Sequence, residues 1–199
     1  MSPSSRPTVA IVKYNAGNVR SVQFALARLG VKPLLTDDPA ALRAASHVIF
    51  PGVGEASSAM RFLRERGLDD VIPSLTQPVL GICLGLQLMC RHSEEADTTC
   101  FGIFETDVKR FRGDAKIPQI GWNTVHHDDS PLFAGIPQEA HFYFVHSFYA
   151  EPGHQQTAST EYIVPFASAM NKGNFHAVQF HPEKSADVGS QLLKNFLAL

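Results

Sequence analysis

The chain has 199 residues and a mass of 21.8 kDa, with 44% hydrophobic, 10% aromatic and 18% charged residues. That length fits one domain with room for a core that needs no disulfide or metal support. The composition excludes disorder, collagen-like repeats and coiled coil. Seventeen basic against nineteen acidic residues leave a net charge of −2, so there is no bulk pull toward nucleic acid or an anionic membrane, and neither is expected as a partner.

Residues 1–7 read as a mobile tail, and 8–199 as the domain. The opening segment, MSPSSRPTVAIVKYN, lacks the apolar stretch of a signal peptide, and no run approaches the ~18 apolar residues of a membrane span. Three cysteines, Cys83, Cys90 and Cys100, argue against a disulfide scaffold. A cytoplasmic, reducing setting is expected.

In chain order, 8–13 (TVAIVK) predicts a buried strand. A turn follows at Asn15–Asn18, with Asn18 as a candidate N-cap. Val22, Ala25, Leu26 and Leu29 lie one helical stripe apart, and Gly30 stops that helix. A second strand is predicted at 32–35 and a short helix at 39–44, started by Asp38-Pro39. Residues 46–50 form a strand ending in Pro51-Gly52-Val53-Gly54. A helix with Ala59, Phe62, Leu63 and Arg66 follows, then a strand at 78–82 and a helix at 84–91. Strand–helix alternation argues a parallel sheet covered on both faces.

Beyond residue 100 the pattern changes to short strands: KIPQIGW, HFYFVHSFYA, PFASAM and FHAVQF. Asn171–Asn174 forms a hairpin loop between the last two. Residues 185–198 close the chain as an amphipathic helix through Val188, Leu192 and Phe196. The expected fold is α/β: a single three-layer domain with a central, mostly parallel mixed sheet, helices on both faces and an antiparallel extension.

The sharpest chemical signal is Gly81-Ile82-Cys83-Leu84-Gly85. A strand ends, a nucleophile-type residue sits between glycines, and a helix begins, which is the cysteine counterpart of a nucleophile elbow. Such a turn holds the side chain above the sheet. The helix N-terminus favours a thiolate, and the Leu84 N–H points where an oxyanion would form. A buried cysteine in a glycine-rich turn has the same signature, so the motif alone does not decide. The second signal is Phe180-His181-Pro182-Glu183 after an apolar strand. Residues i and i+2 of an extended segment share a side, so Glu183 can fix the tautomer of His181. Cysteine, histidine and carboxylate at strand ends form a nucleophile, base and orienter. Strand C-termini of a parallel sheet share one edge, where sites form. The 51–54 loop at that edge offers a second oxyanion donor, the Val53 N–H.

GICLGLQ at 81–87 with FHPE at 180–183 resembles the triad (class I) glutamine amidotransferases, a flavodoxin-like fold family. YNAGN at 14–18, PGVG at 51–54, PQIGWN at 118–123, YFVHSF at 143–148 and GNFHAVQFHPEKS at 173–185 narrow the resemblance to the glutaminase subunits of imidazole glycerol phosphate synthases. It covers about residues 8–197. The resemblance implies hydrolysis of L-glutamine to glutamate and ammonia without metal or organic cofactor, and a (β/α)8-barrel cyclase that receives the ammonia. It implies Cys83 as nucleophile, His181 as acid/base and Glu183 as orienter. Gly52, Gln87, His146, Ser147 and Phe148 are then expected at the substrate. Tyr14 to Asn18 (Asn15 and Asn18 in particular), Trp122, Asn123, Tyr143 and Lys184 are expected near the partner. Phe148 stands where a tyrosine is common.

Other features read blandly. His126-His127-Asp128-Asp129 is a polar turn rather than a metal site, because adjacent side chains diverge. Cys90 is a small hydrophobe on the helix after the elbow. The aromatics at 142–149 are a half-buried strand rather than a base-stacking platform. The alternatives are the glutaminase of another amidotransferase, a catalytically inactive scaffold and a cysteine peptidase. The intact triad argues against the second, and the absence of any segment suggesting a peptide groove against the third.

Overall fold

A computed structural model describes residues 7–15 and 17–199. The expected tail, apart from Pro7, lies outside them, as does Ala16. In the first half, strands β1 (Val9–Val12), β2 (Leu34–Thr36), β3 (His47–Gly52) and β4 (Val79–Cys83) alternate with helices α1 (Val19–Arg28), α2 (Pro39–Ala44), α3 (Ala56–Glu65), α4 (Leu68–Val71) and α5 (Leu84–Met89). In the second half come β5 (His92–Ser93), β6 (Thr98–Thr99), β7 (Asp107–Arg110), β8 (Gln119–His127), β9 (Ala140–His146), β10 (Phe148–Ala150), β11 (Gln156–Tyr162), β12 (Val164–Lys172) and β13 (Phe175–Val178), closed by α6 (Ala186–Phe196).

The parallel core runs β2-β1-β3-β4-β13. β1, β3 and β4 are buried along their whole length, as strands covered on both faces must be. Alternate residues serve opposite sides. Ala10 and Val12 of β1 pack with α2, α3, α4 and α5, whereas Val9 and Ile11 pack with α1 and α6. Beyond β13 the pairing turns antiparallel through β12, β10 and β7, and β11, β8 and β9 form a further antiparallel branch. The expected architecture is borne out. Among the described residues no helix is long and apolar enough to cross a membrane.

Several local readings shift. α2 begins at Pro39 with the Asp38 carboxylate accepting from the Ala40 N–H, as its sequence dictates. β2 starts two residues later than expected. β3 continues through Pro51 and Gly52, so the loop begins at Val53. Phe62 is only partly buried, and Arg66 follows α3 exposed. Its guanidinium lies 3.5 Å above the Phe62 ring. Asn18 precedes α1 at φ 71° and its side chain makes no cap hydrogen bond. His126 and His127 end β8, and the polar turn starts at Asp128, whose carboxylate accepts from the Ser130 N–H.

Candidate active site

The parallel register places β3, β4 and β13 side by side, with Gly52 opposite Cys83 and Val178 opposite Ile82. Their C-terminal ends bring Val53, Cys83 and His181 to one edge. Cys83 sits at φ 54°, ψ −105°, between strand and helix. That backbone is strained for a side-chain-bearing residue and is held by tight packing on either side. A Cβ on Gly85 would stand 1.9 Å from the Phe50 carbonyl oxygen, and one on Gly81 would press the Gly85 backbone at 3.0 Å. Only glycine lets α5 lie this close to β3.

The His181 ring is buried, and its Nδ1 lies 2.8 Å from Glu183 Oε1. The path between them differs from the sequence reading: Pro182–Lys184 is a 3-10 turn, not extended chain. The proline starts that turn and folds the carboxylate back onto the ring. Ser185 Oγ donates to the His181 carbonyl and receives the Tyr143 N–H, while the His181 N–H donates to the Tyr143 carbonyl. β9 therefore clamps the turn. His181 Nε2 is buried with no hydrogen-bond partner. Burial works against charge on this ring, but the negative charge on Cys83 and the Glu183 carboxylate outweigh it and raise the pKa to about 10.

A cavity of about 260 Å³ opens on Cys83. Val53, Gly54, Leu84, Gln87, His146, Ser147 and Phe148 line it, and so do Glu95, Pro118 and Val145. Gln87 Nε2 donates to the Phe148 carbonyl at 2.9 Å, and His146 Nδ1 reaches the same oxygen at 2.8 Å. Burial lowers the His146 pKa to about 4, so its imidazole is a neutral brace for that loop.

Gly52, expected at the substrate, does not line the cavity. Its missing side chain makes room for the Tyr14 hydroxyl, 2.0 Å from where a Cβ would be, and that hydroxyl donates to the Pro51 carbonyl. Tyr14 is thus buried beneath the loop rather than at a surface. The Gly17 N–H donates to the Val53 carbonyl, and Gly54 sits at φ 142°.

Asn18 lies beside the His181–Glu183 pair: its side-chain N–H donates to Glu183 Oε1. Exposed Asn15 reaches the Ser58 carbonyl at 3.3 Å. Trp122 packs edge-on to Tyr143 at 6.0 Å, and Lys184 lies 5.8 Å over the Tyr143 ring. Asn123 Nδ2 donates to the Glu161 carbonyl. Trp122 and Ile120 are both more than half exposed and share a face of β8.

Sequence reasoning missed Glu95. Its carboxylate accepts the Ala56 N–H at the start of α3 while lining the cavity. Burial raises its pKa. No motif marked it, because it belongs to a turn between two-residue strands.

A family model described as glutamine amidotransferase class-I matches residues 11–199. The "Imidazole glycerol phosphate synthase subunit HisH" of Bacteroides fragilis is 54% identical over 194 residues, 96% of this chain and 99% of the relative. That of Bacteroides thetaiotaomicron matches to the same extent. The Vibrio cholerae protein of that name is 43% identical over 199 residues, covering 96% and 98%. Among solved structures, a glutamine amidotransferase superposes with a TM-score of 0.74 at 20% identity, covering 95% of this chain and 97% of that one. Another, from Thermotoga maritima, gives 0.66 at 18%, covering 96% and 83%. At such identities these two speak for the fold alone.

Proposed function

The chain belongs to the class-I glutamine amidotransferases and, within them, to the HisH subunits of imidazole glycerol phosphate synthase; from that premise we propose how its residues divide the work. It is the glutaminase subunit of that synthase, in histidine biosynthesis. It uses glutamine and acts in a complex with a cyclase partner. In our reading the partner is a (β/α)8 barrel that receives ammonia through a channel. The barrel converts N′-(phosphoribulosyl)formimino-AICAR ribonucleotide to imidazole glycerol phosphate and AICAR.

Cys83, as thiolate, attacks the carboxamide carbon of glutamine. The Leu84 and Val53 N–H groups receive the developing oxyanion. His181 protonates the departing ammonia, then deprotonates the water that hydrolyses the thioester. Glu183 holds Nδ1–H and leaves Nε2 free for both transfers. Gln87 and the 146–148 backbone grip the substrate, and the Glu95 carboxylate meets its α-ammonium group. Gly52 contributes by having no side chain beneath that loop.

The single observation that carries this reading is the His181–Glu183 contact of 2.8 Å, with the buried Nε2 left unpaired. Asn15, Asn18, Trp122, Asn123, Tyr143 and Lys184 face the cyclase. The exposed Ile120 and Trp122 on one strand face support that placement, since apolar side chains grouped on a surface favour a covering partner.

The Val53 peptide is the gate. The Val53 N–H sits in the Gly52–Val53 peptide, whose plane Gly52 lets turn, while the next peptide is anchored by the Gly17 N–H donating to the Val53 carbonyl. Partner and acceptor binding shift the population toward an inward N–H. Losing one oxyanion donor costs about 10²–10³ in kcat, so stimulation of at least that order is expected. Ammonia release from glutamine, with and without a cyclase, tests it. A chain that alone matches the ligand-bound complex contradicts the gating, and a chain that never releases ammonia contradicts the reading itself.

A further inference from the structure

Gln179 is fully buried two residues before His181. A buried amide has to place its donor and its acceptor. Its Oε1 accepts from Gln87 Nε2 at 3.1 Å, and its Nε2 points at Cys83 Sγ, 3.6 Å away. Gln87 fixes which end faces the sulfur: its own N–H groups go to the Phe148 carbonyl and to Gln179 Oε1. The Gln179 backbone is held too, since its N–H donates to the Ser168 carbonyl at 2.9 Å. The Val145 carbonyl lies 3.8 Å from the same sulfur. A carbonyl suits a thiol, whereas an amide N–H suits a thiolate.

We propose that Gln179 is a catalytic residue of this site, its side-chain N–H aiming the Cys83 sulfur at the carbon it attacks. The proposal rests on Cys83 being the nucleophile. The thiolate pair forms the S–C bond to the carboxamide carbon while the carbonyl π pair moves onto oxygen. That pair then returns, and the C–N bond breaks. The leaving nitrogen takes its bonding pair and one proton from His181, giving ammonia, a thioester and neutral imidazole. Gln179 supplies no proton. It holds the attacking atom in line before the bond forms, through a hydrogen bond to a charged group.

The test uses the full chain with a cyclase partner and two variants, Gln179→Leu and Gln179→Met, which fill the space and cannot donate. Two rates are read: glutamine turnover, and alkylation of Cys83 by iodoacetamide, located by peptide mass. Iodoacetamide needs no glutamine pocket, so it reports on the sulfur alone. The expected result is a fall of about 10- to 100-fold in kcat and in alkylation, with KM for glutamine changed less than about threefold. Wild-type rates in a folded variant overturn the proposal. So does a raised KM with unchanged alkylation, which would make Gln179 a wall of the pocket. If one variant does not fold, the other decides. If wild-type Cys83 is not alkylated, or Cys83→Ala still hydrolyses glutamine, the nucleophile reading fails instead.

Discussion

Asn18 donates its side-chain N–H to the same oxygen of Glu183 that receives the proton of His181 Nδ1. One carboxylate oxygen thus serves both the ring and an amide from the far end of the chain. This explains why Asn18 does not cap α1 with its side chain: that group is engaged elsewhere. Asparagine tolerates the φ of 71° that the position requires. Asn18→Gly keeps that backbone accessible and removes only the amide. We expect kcat to fall about tenfold, with KM for glutamine unchanged. Asn18→Asp sets a second carboxylate against Glu183 and is expected to cost more. Steady-state kinetics of both variants check this; a wild-type kcat in Asn18→Gly would reduce Asn18 to a bystander.

Glu183→Gln keeps the shape of the orienter and removes its charge. The expected loss in kcat is up to ~10⁴, the scale seen when a hydrolytic triad loses its acid. A smaller loss is expected here, since cysteine is intrinsically the better nucleophile. Unchanged kinetics would leave Glu183 a structural residue.

Glu95→Gln retains an oxygen for the Ala56 N–H and loses the charge offered to the substrate. KM for glutamine should rise about tenfold or more while kcat changes little. Because burial raises the Glu95 pKa, its carboxylate gains a proton sooner as pH falls, so glutamine binding should weaken on the acid side earlier in the wild type than in the variant. A KM indifferent to this substitution contradicts the assignment.

His146 gives a stability test. Its folded pKa of about 4 lies below the ordinary 6.5, so between those values the unfolded chain binds the extra proton. Its contribution is intact above pH 6.5 and is lost as pH falls toward 4, on the order of 3 kcal/mol. Denaturant unfolding at pH 7 and pH 4.5 should show a smaller acid loss in His146→Gln than in the wild type. Equal losses would remove His146 from the acid response.

The strand–helix half of the fold was legible because its signals are local and strong: Asp38-Pro39 before α2, the stripe Val22, Ala25 and Leu26, and the apolar runs of β1, β3 and β4. The elbow was legible only with the His181-Pro182-Glu183 segment beside it, since glycines around a buried cysteine in an ordinary turn read the same way. β5 and β6 were not, because two residues each are too few to show an alternating pattern. The 3-10 turn at Pro182–Lys184 escaped because alternation and a tight turn both bring residues i and i+2 together. Asn18 was read as a cap, since its sequence neighbourhood is that of a helix start and its partner lies 165 positions away. Gln179 was hidden inside an apolar run, although a lone amide between Val178 and Phe180 should have raised the question of what it bonds.

The most direct measurement is glutamine hydrolysis by Cys83→Ala beside Cys100→Ala, each with a cyclase partner. Cys100 is the one cysteine that is not fully buried, and its thiol is pushed up to about 12 by burial. The account predicts no detectable glutamate from Cys83→Ala, with fold and partner binding intact, and near wild-type turnover from Cys100→Ala. Substantial hydrolysis by Cys83→Ala would contradict it.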